Sequence, residues 1–320
     1  MKAVTRTQYG SPDILEVKEI DKPVPGKGEL LIRVRATTVN RTDCGILLGK
    51  PNIIRAFTGL ITPTDLVPGT DFAGEVEAVG SGVTKFKEGD KVWGFNDNGL
   101  SSWAEYLVIN EKSNVIPIPK ETLFEEIVAC IEGVHYALNF INKVKVNAND
   151  KVLINGATGA IGSAMLQILV HMGIDVTAVG NTKNLDLLES LGASKVVNYE
   201  QEDFTKLPEG SFDFVFDAVG KSRFVLCEHL LKPNGTYISS ELGEGLENTY
   251  LPLLTKLKGG KRVKFPFPSD IKGSLNYIND LLSKGAFRPV IDRTYSIDDI
   301  KQAYTYVLSG EKTGNVIIEY

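Results

Sequence analysis

Lys151-Val152-Leu153-Ile154-Asn155-Gly156-Ala157-Thr158-Gly159-Ala160-Ile161-Gly162 is the stretch from which the fold of this chain can be read. It opens as a short apolar run of strand type and passes into a glycine-rich turn. A helical run over residues 163–172 follows, and a second apolar run over residues 174–179 ends in Gly180-Asn181-Thr182-Lys183. Strand, glycine turn, helix and strand in that order is the context a dinucleotide-binding fingerprint requires. Outside that context the same glycines describe only a tight strand-to-helix turn. In the three-glycine spacing Ala157 takes the first position, with Gly159 and Gly162 as the second and third. The glycines let the turn form, let a pyrophosphate approach the backbone, and let the helix close on the strand. Unpaired N–H groups at the helix start then face the phosphates, which assigns Thr158, Gly159, Ala160 and Ile161 to the pyrophosphate.

The tip of the second strand selects the nucleotide. An NAD site commonly carries Asp or Glu there to hold the ribose hydroxyls. Eighteen residues after Gly162 this chain has Gly180, Asn181, Thr182 and Lys183, and along the chain no carboxylate appears until Asp186. Gly180 leaves room, Asn181 and Thr182 donate hydrogen bonds, and Lys183 adds positive charge. That set suits a 2′-phosphate and predicts NADP(H). A solvated loop after a strand is the alternative reading.

Working outward, 320 residues suggest about two domains. Hydrophobic residues at 42% and charged residues at 23% are ordinary for a globular protein with a large core. The net charge of -5 argues against a general nucleic-acid or membrane surface, so any anion site must be local. Three widely spaced cysteines, Cys44, Cys130 and Cys227, do not make a disulfide framework, and a reducing compartment is the default. Neither a signal-peptide core nor a run of membrane-spanning length is present, which predicts a cytoplasmic chain.

Residues 1–120 read as a β-rich unit of short strands between glycine turns, barrel-like or partly open. Strand candidates are 1–7, 14–20, 29–39, 71–79, 91–95 and 102–109, with a helix over 40–49 and an irregular stretch to Pro68. From residue 121 the rhythm changes. One helix is predicted over 124–144, and beyond the glycine turn strands and helices alternate through residue 240, which predicts a doubly wound parallel sheet. Its strand ends at Val219, Ser239 and Ser240 are expected to flank the nicotinamide ribose. The tail, with helices over 272–284 and 297–308 and a strand over 316–320, is expected to complete the first domain. The expected division is therefore 1–120 plus 265–320 for a catalytic domain and 121–264 for an inserted nucleotide domain. The basic cluster Lys256, Lys258, Lys261, Arg262 and Lys264 reads better as a solvated surface loop than as a phosphate site.

Further motifs carry a resemblance. Val67-Pro68-Gly69-Thr70-Asp71-Phe72-Ala73-Gly74-Glu75-Val76, Phe86-Lys87-Glu88-Gly89-Asp90-Lys91-Val92-Trp93-Gly94, Leu191-Gly192-Ala193, Phe214-Val215-Phe216-Asp217-Ala218-Val219-Gly220 and Gly314-Asn315-Val316-Ile317 occur in order around the glycine turn. Together they resemble the medium-chain dehydrogenase/reductase superfamily, over the whole chain. Within it the chain is most similar to the zinc-free quinone oxidoreductase and enone reductase branch. The resemblance implies a GroES-like β-rich catalytic domain with an inserted Rossmann domain, NADPH as cofactor, and a homodimer. It also implies that Tyr199 lies near the adenosine phosphate and that Asn315 sits in a tail segment returning to the active site.

The same resemblance allows zinc to be tested position by position. Where the alcohol dehydrogenase branch has a ligand cysteine this chain has Asn40, ahead of Arg41-Thr42-Asp43, and where that branch has His-Glu it has Thr70-Asp71. The third position falls near Glu132. Asn and Thr are poor zinc ligands, so no metal is expected. Without a Lewis acid, an acceptor that spreads its developing charge through conjugation is the suitable one, which points to a quinone or an α,β-unsaturated carbonyl. Asn40 is then the first candidate donor to the carbonyl oxygen, with a helix-capping role as its alternative. Asp43 orients neighbours or caps. Relatives often read Gly-Leu-Thr-Ala where this chain has Val134-His135-Tyr136-Ala137. Tyr136 is either a proton donor or cover for the nicotinamide, or else an aromatic core residue. His135 lies nearer the site than His171 or His229, which read as structural. A zinc alcohol dehydrogenase with irregular ligands and a non-catalytic NADPH-binding redox sensor are the competing functions.

Overall fold

The computed structural model describes residues 1–267 and 270–320, and its contacts divide the chain into two compact units. The first unit holds residues 1–131, 271–283 and 288–320; the second holds residues 132–270 and 284–287.

In the first unit β1 (Lys2–Thr5) and β2 (Glu16–Glu19) form an antiparallel pair. The main sheet is organised on β3 (Glu29–Val39). One side of β3 is bonded by β4 (Asp71–Val79), which continues to β5 (Lys91–Phe95). The other side takes β6 (Tyr106–Asn110) at its start, and β7 (Val115–Pro117) adds beyond β5. Leu30, Ile32 and Val34 alternate along β3 and share one core with Phe72, Val76, Val92, Leu107, Ile109 and Val115. A period of two is what one buried face of a sheet requires.

The second unit is a parallel sheet of β8 (Lys151–Asn155), β9 (Asp175–Gly180), β10 (Lys195–Asn198), β11 (Phe212–Asp217), β12 (Leu231–Ser239) and β13 (Arg262–Lys264). Its order is β10-β9-β8-β11-β12-β13, the doubly wound arrangement whose order reverses at its first strand. Leu153, Val215, Tyr237 and Val263 are neighbours across four strands of one face, and Val179 and Val197 extend the same core. The chain then returns to the first unit. β14 (Ile291–Ser296) pairs with β15 (Asn315–Glu319), and β15 bonds the far end of β3. The helix Ile300–Ser309 supports it, with Tyr304 edge-on to Trp103 at 4.7 Å in a second core that includes Val39, Leu47, Val316 and Ile318.

Several elements differ from the sequence reading. The helix expected over 124–144 is two, Phe124–Val128 and Ile131–Lys143. The ladder breaks at Cys130, whose N–H reaches back only to the Ile127 carbonyl while its thiol donates to the Glu126 carbonyl. The first of these helices packs on β3 and β4, which keeps residues 121–131 with the β-rich unit. The helix Glu247–Lys258 and the strand β14 lack a clear apolar period in the sequence and were not expected. The basic cluster is not one loop. Lys256 and Lys258 close that helix, while Arg262 and Lys264 belong to β13, and Lys264 Nζ donates to the Lys143 carbonyl at 2.9 Å. No helix among the described residues is long and apolar enough to cross a membrane.

Candidate functional site

In the second unit the turn after β8 is fixed by its backbone. Gly156, not Ala157, carries the left-handed conformation, with φ of 78°, and a Cβ there would come within 2.7 Å of Val219. The Ala157 N–H donates to the Val179 carbonyl and ties the turn to β9. Gly159 caps the helix Ala160–His171, whose first turn carries no acidic residue. Its opening N–H groups therefore keep their partial positive charge. At Gly162 an added Cβ would lie 2.1 Å from the Gly156 carbonyl oxygen and 2.7 Å from the Ala157 Cα. Helix and turn touch there through bare backbone. Thr158, Gly159 and Ile161 stay partly exposed at this cradle, while Ala160 is buried.

The tip of β9 is more crowded than its sequence suggests. Gly180 is buried; a Cβ would meet Leu188 at 2.6 Å and the Thr158 methyl at 3.0 Å. The space it leaves is therefore filled from within the unit, contrary to the expectation of room for a ligand. Asn181 precedes the short turn Thr182–Asn184 and accepts from Asn184 Nδ2 at 2.7 Å. Thr182 and Lys183 are exposed, and so is Tyr199, whose N–H donates to the Gly180 carbonyl at 3.0 Å. The reading that no carboxylate stands at this tip holds only along the chain. Glu200, two residues beyond β10, accepts from the Thr182 hydroxyl at 2.6 Å and from its N–H at 3.1 Å.

A second residue escaped the sequence reading as an organiser. Asp217, fully buried at the end of β11, accepts from Asn155 Nδ2 at 3.0 Å and from the Tyr237 hydroxyl at 3.1 Å. It also accepts from the N–H groups of Val219, Gly220 and Ser222 at 3.3, 2.9 and 3.1 Å. Burial raises its carboxyl above the usual carboxylate range, and these donors pull the other way. One side chain thus binds the carboxyl ends of three strands and shapes the loop holding Val219. Ser240 donates its N–H to the Asp217 carbonyl, and Ser239 is buried beside it with its hydroxyl accepting from the Glu241 N–H. The Asn155–Asp217 pair faces across adjacent strands, and only the register shows it.

Tyr136 lies on the helix Ile131–Lys143 and is the only residue from 131 to 141 that is not buried. Its ring meets His135 edge-on at 5.4 Å. His135 is buried and its Nε2 accepts from Asn139 Nδ2 at 3.3 Å. His229 is exposed and meets the Thr205 carbonyl at 2.7 Å.

In the first unit Asn40 and Asp43 form a capping box at the helix Arg41–Leu48. The Asn40 Oδ1 accepts from the Asp43 N–H at 2.8 Å, and an Asp43 carboxylate oxygen accepts from the Asn40 N–H at 3.2 Å. Asn40 Nδ2 points at Thr38 Oγ1 at 3.2 Å, Thr70 Oγ1 at 3.1 Å and Asp71 at 3.4 Å. Thr70 in turn donates to Asp43 at 3.0 Å. Asp71 has no exposed surface and accepts from the Thr37 hydroxyl, the Thr38 N–H and the Thr38 hydroxyl. Burial raises its carboxyl above the usual range, opposed by those donors. Both ends of the Asn40 amide are thus engaged within the protein, as a cap requires. Asn315 opens β15 and points its N–H and its Nδ2 at the Val290 carbonyl, at 2.8 and 3.0 Å.

The donor set at Asn40 and Thr70 does not fit zinc. A ligand must offer a free lone pair, and here an amide and a hydroxyl are closed in a network with two carboxylates. Among the described residues no three of His, Cys, Asp or Glu form a group able to hold a metal ion.

Comparison with known proteins adds to this geometry. Residues 26–120 match the family described as alcohol dehydrogenase GroES-like domain, and residues 191–318 match one described as zinc-binding dehydrogenase. The chain is 32% identical to the chloroplastic quinone-oxidoreductase QR1 of Triphysaria versicolor, covering 100% of this chain and 98% of the relative. It is 28% identical to a chloroplastic NADPH-dependent alkenal/one oxidoreductase of Arabidopsis thaliana, covering 99% of this chain and 79% of that protein. The solved structure of the quinone oxidoreductase from Coxiella burnetii superposes with a TM-score of 0.89 at 25% identity, covering 100% and 99% of the two chains.

Proposed function

Because the chain belongs to the medium-chain dehydrogenase/reductase superfamily, in its quinone oxidoreductase branch, we propose that it reduces a quinone or an α,β-unsaturated carbonyl with NADPH and without zinc. The observation that carries the metal-free part is the closed network at Asn40 and Thr70, whose hydrogens are given to neighbours and whose oxygens each already accept a hydrogen bond. NADPH, when bound, supplies the hydride. Thr158, Gly159, Ala160 and Ile161 line the pyrophosphate, which backbone N–H groups at the helix start hold, while the Gly159 N–H donates to the Gly156 carbonyl and shapes the turn. Asn181, Thr182, Lys183 and Tyr199 surround the adenosine phosphate, and Lys183 supplies the positive charge. Val219, Ser239 and Ser240, at the ends of β11 and β12, flank the nicotinamide ribose, with Asp217 holding their loop in place.

Asp43 acts as a positioning residue, fixing Asn40 and Thr70 in one arrangement. Tyr136 is the proton donor in this reading. Its partly open position on an otherwise buried helix supports that role over a core role. The acceptor is conjugated because no metal is needed when the developing negative charge is delocalised. The test is NADPH oxidation by the purified chain with a small quinone and with an enal, each with and without a metal chelator. Turnover with at least one acceptor, undiminished by chelator, is expected. Chelator-sensitive turnover, or tight NADPH binding with no turnover on either acceptor, would overturn the reading.

A further inference from the structure

A dinucleotide site reads the adenosine ribose at the tip of its second strand, which here is β9. β10 runs parallel to β9 on its outer side and ends level with it, Asn198 opposite Gly180. Two residues on, Glu200 folds its carboxylate back over the turn that follows β9. One carboxylate oxygen takes both donors of Thr182, the hydroxyl at 2.6 Å and the N–H at 3.1 Å. Asn198 fixes this arrangement from below. Its Nδ2 donates to the Thr182 hydroxyl at 2.8 Å, so that hydroxyl must send its own hydrogen to Glu200, and its Oδ1 accepts from the Glu200 N–H at 3.1 Å. These hydrogen bonds, with the charge of Lys183 nearby, hold the Glu200 carboxyl below its ordinary range, so it is ionised at neutral pH. Both Thr182 donors assigned above to a 2′-phosphate are therefore already occupied by an anion of the chain itself.

We infer that Glu200 sets the cofactor selectivity of this protein by occupying the Thr182 donors of the 2′-phosphate subsite, beside Lys183. The inference rests on the nucleotide reading given above and deepens it. A 2′-phosphate carries a charge of roughly -1.5 to -2 at neutral pH and needs the same donors. It binds only by displacing Glu200 and then sits beside a like charge. An unphosphorylated ribose brings hydroxyl donors, which a carboxylate accepts without displacement. Glu200 therefore weakens NADPH selectively and narrows the gap between NADPH and NADH that Lys183 alone would create.

Calorimetric titration of NADPH and of NADH into the wild type, Glu200→Gln, Glu200→Ala and Lys183→Ala tests this. Both Glu200 variants are expected to tighten NADPH by about tenfold, the size of one charge-assisted contact, and to leave NADH within about threefold. Lys183→Ala is expected to move NADPH the opposite way with NADH nearly unchanged. An unchanged NADPH-to-NADH ratio in both Glu200 variants, or a ratio shifted toward NADH, would overturn the role of Glu200 and leave the nucleotide site standing. Absence of binding of either nucleotide to the wild type would remove the nucleotide site, and the inference with it.

Discussion

The cradle at the end of β8 and the polar cluster around Asp71 are built from opposite materials. The cradle is bare backbone: Gly156 in a left-handed turn, Gly162 pressed on that turn, and a helix start with no acidic side chain. The cluster is nearly all side chain. Thr37, Thr38, Asn40, Asp43, Thr70 and Asp71 satisfy one another in a space with almost no solvent. The first arrangement leaves its helix start without a side-chain cap, whereas the second uses its side-chain donors up. The cluster is thereby a structural knot, and the cradle is the more open of the two.

The largest expected effect breaks the backbone half of this contrast. Gly162→Val would place new atoms against the Gly156 carbonyl, where even a Cβ has only 2.1 Å. Denaturant unfolding should show a loss of about 3 kcal/mol, and NADPH affinity should fall at least about tenfold, since overpacking distorts the turn itself. A variant with wild-type stability and affinity would mean that the turn yields freely. A smaller effect tests the side-chain half. Asp71→Ala strands the Thr38 N–H and the Thr38 hydroxyl, while the Thr37 hydroxyl keeps the residue-71 carbonyl, and should cost about 2 kcal/mol in the same measurement, since buried donors are left unpaired. Because the cluster is structural here, NADPH affinity should stay near that of the wild type. A selective loss of affinity would end the contrast.

The smallest effect is a pH dependence that the two regions should share. Beside the cradle Asp217 bonds Asn155 at the end of β8, and in the cluster stands Asp71; burial raises the folded pKa of each above its ordinary 3.8. A raised folded pKa contributes stability that is fully present below the unfolded value and lost as pH rises through the folded value. Lowering the pH from 7 toward 4 should therefore move the wild-type Tm upward relative to that of Asp217→Asn, and likewise relative to that of Asp71→Asn. A Tm difference that is flat across that range, or that moves the other way, would show that the hydrogen bonds, not burial, govern these groups.

Legibility followed the same division. The cradle was readable because a strand, a turn and a helix adjacent in sequence are adjacent in space. The helix Arg41–Leu48 was readable with its cap for the same reason, since Asn40 and Asp43 are three residues apart. Gly180 misled, because the space left by a missing side chain can be filled from inside, here by Leu188 and Thr158. β14 and the helix Glu247–Lys258 were missed because their exposed faces carry apolar residues, among them Tyr250, Leu253, Leu254 and Leu257, which blur the period.

The sequence by itself determined the parallel nucleotide unit, its glycine turn and the absence of good metal ligands at Asn40 and Thr70, since each depends on residue type or on neighbours a few positions apart. Only the tertiary structure decided which hydrogen bonds Asn40 has left, that Asp217 ties three strands together, and that Glu200 stands over Thr182. Those facts depend on strand register and parallel pairing, which bring together groups 18 to 62 residues apart, and no local pattern in a chain encodes such a meeting.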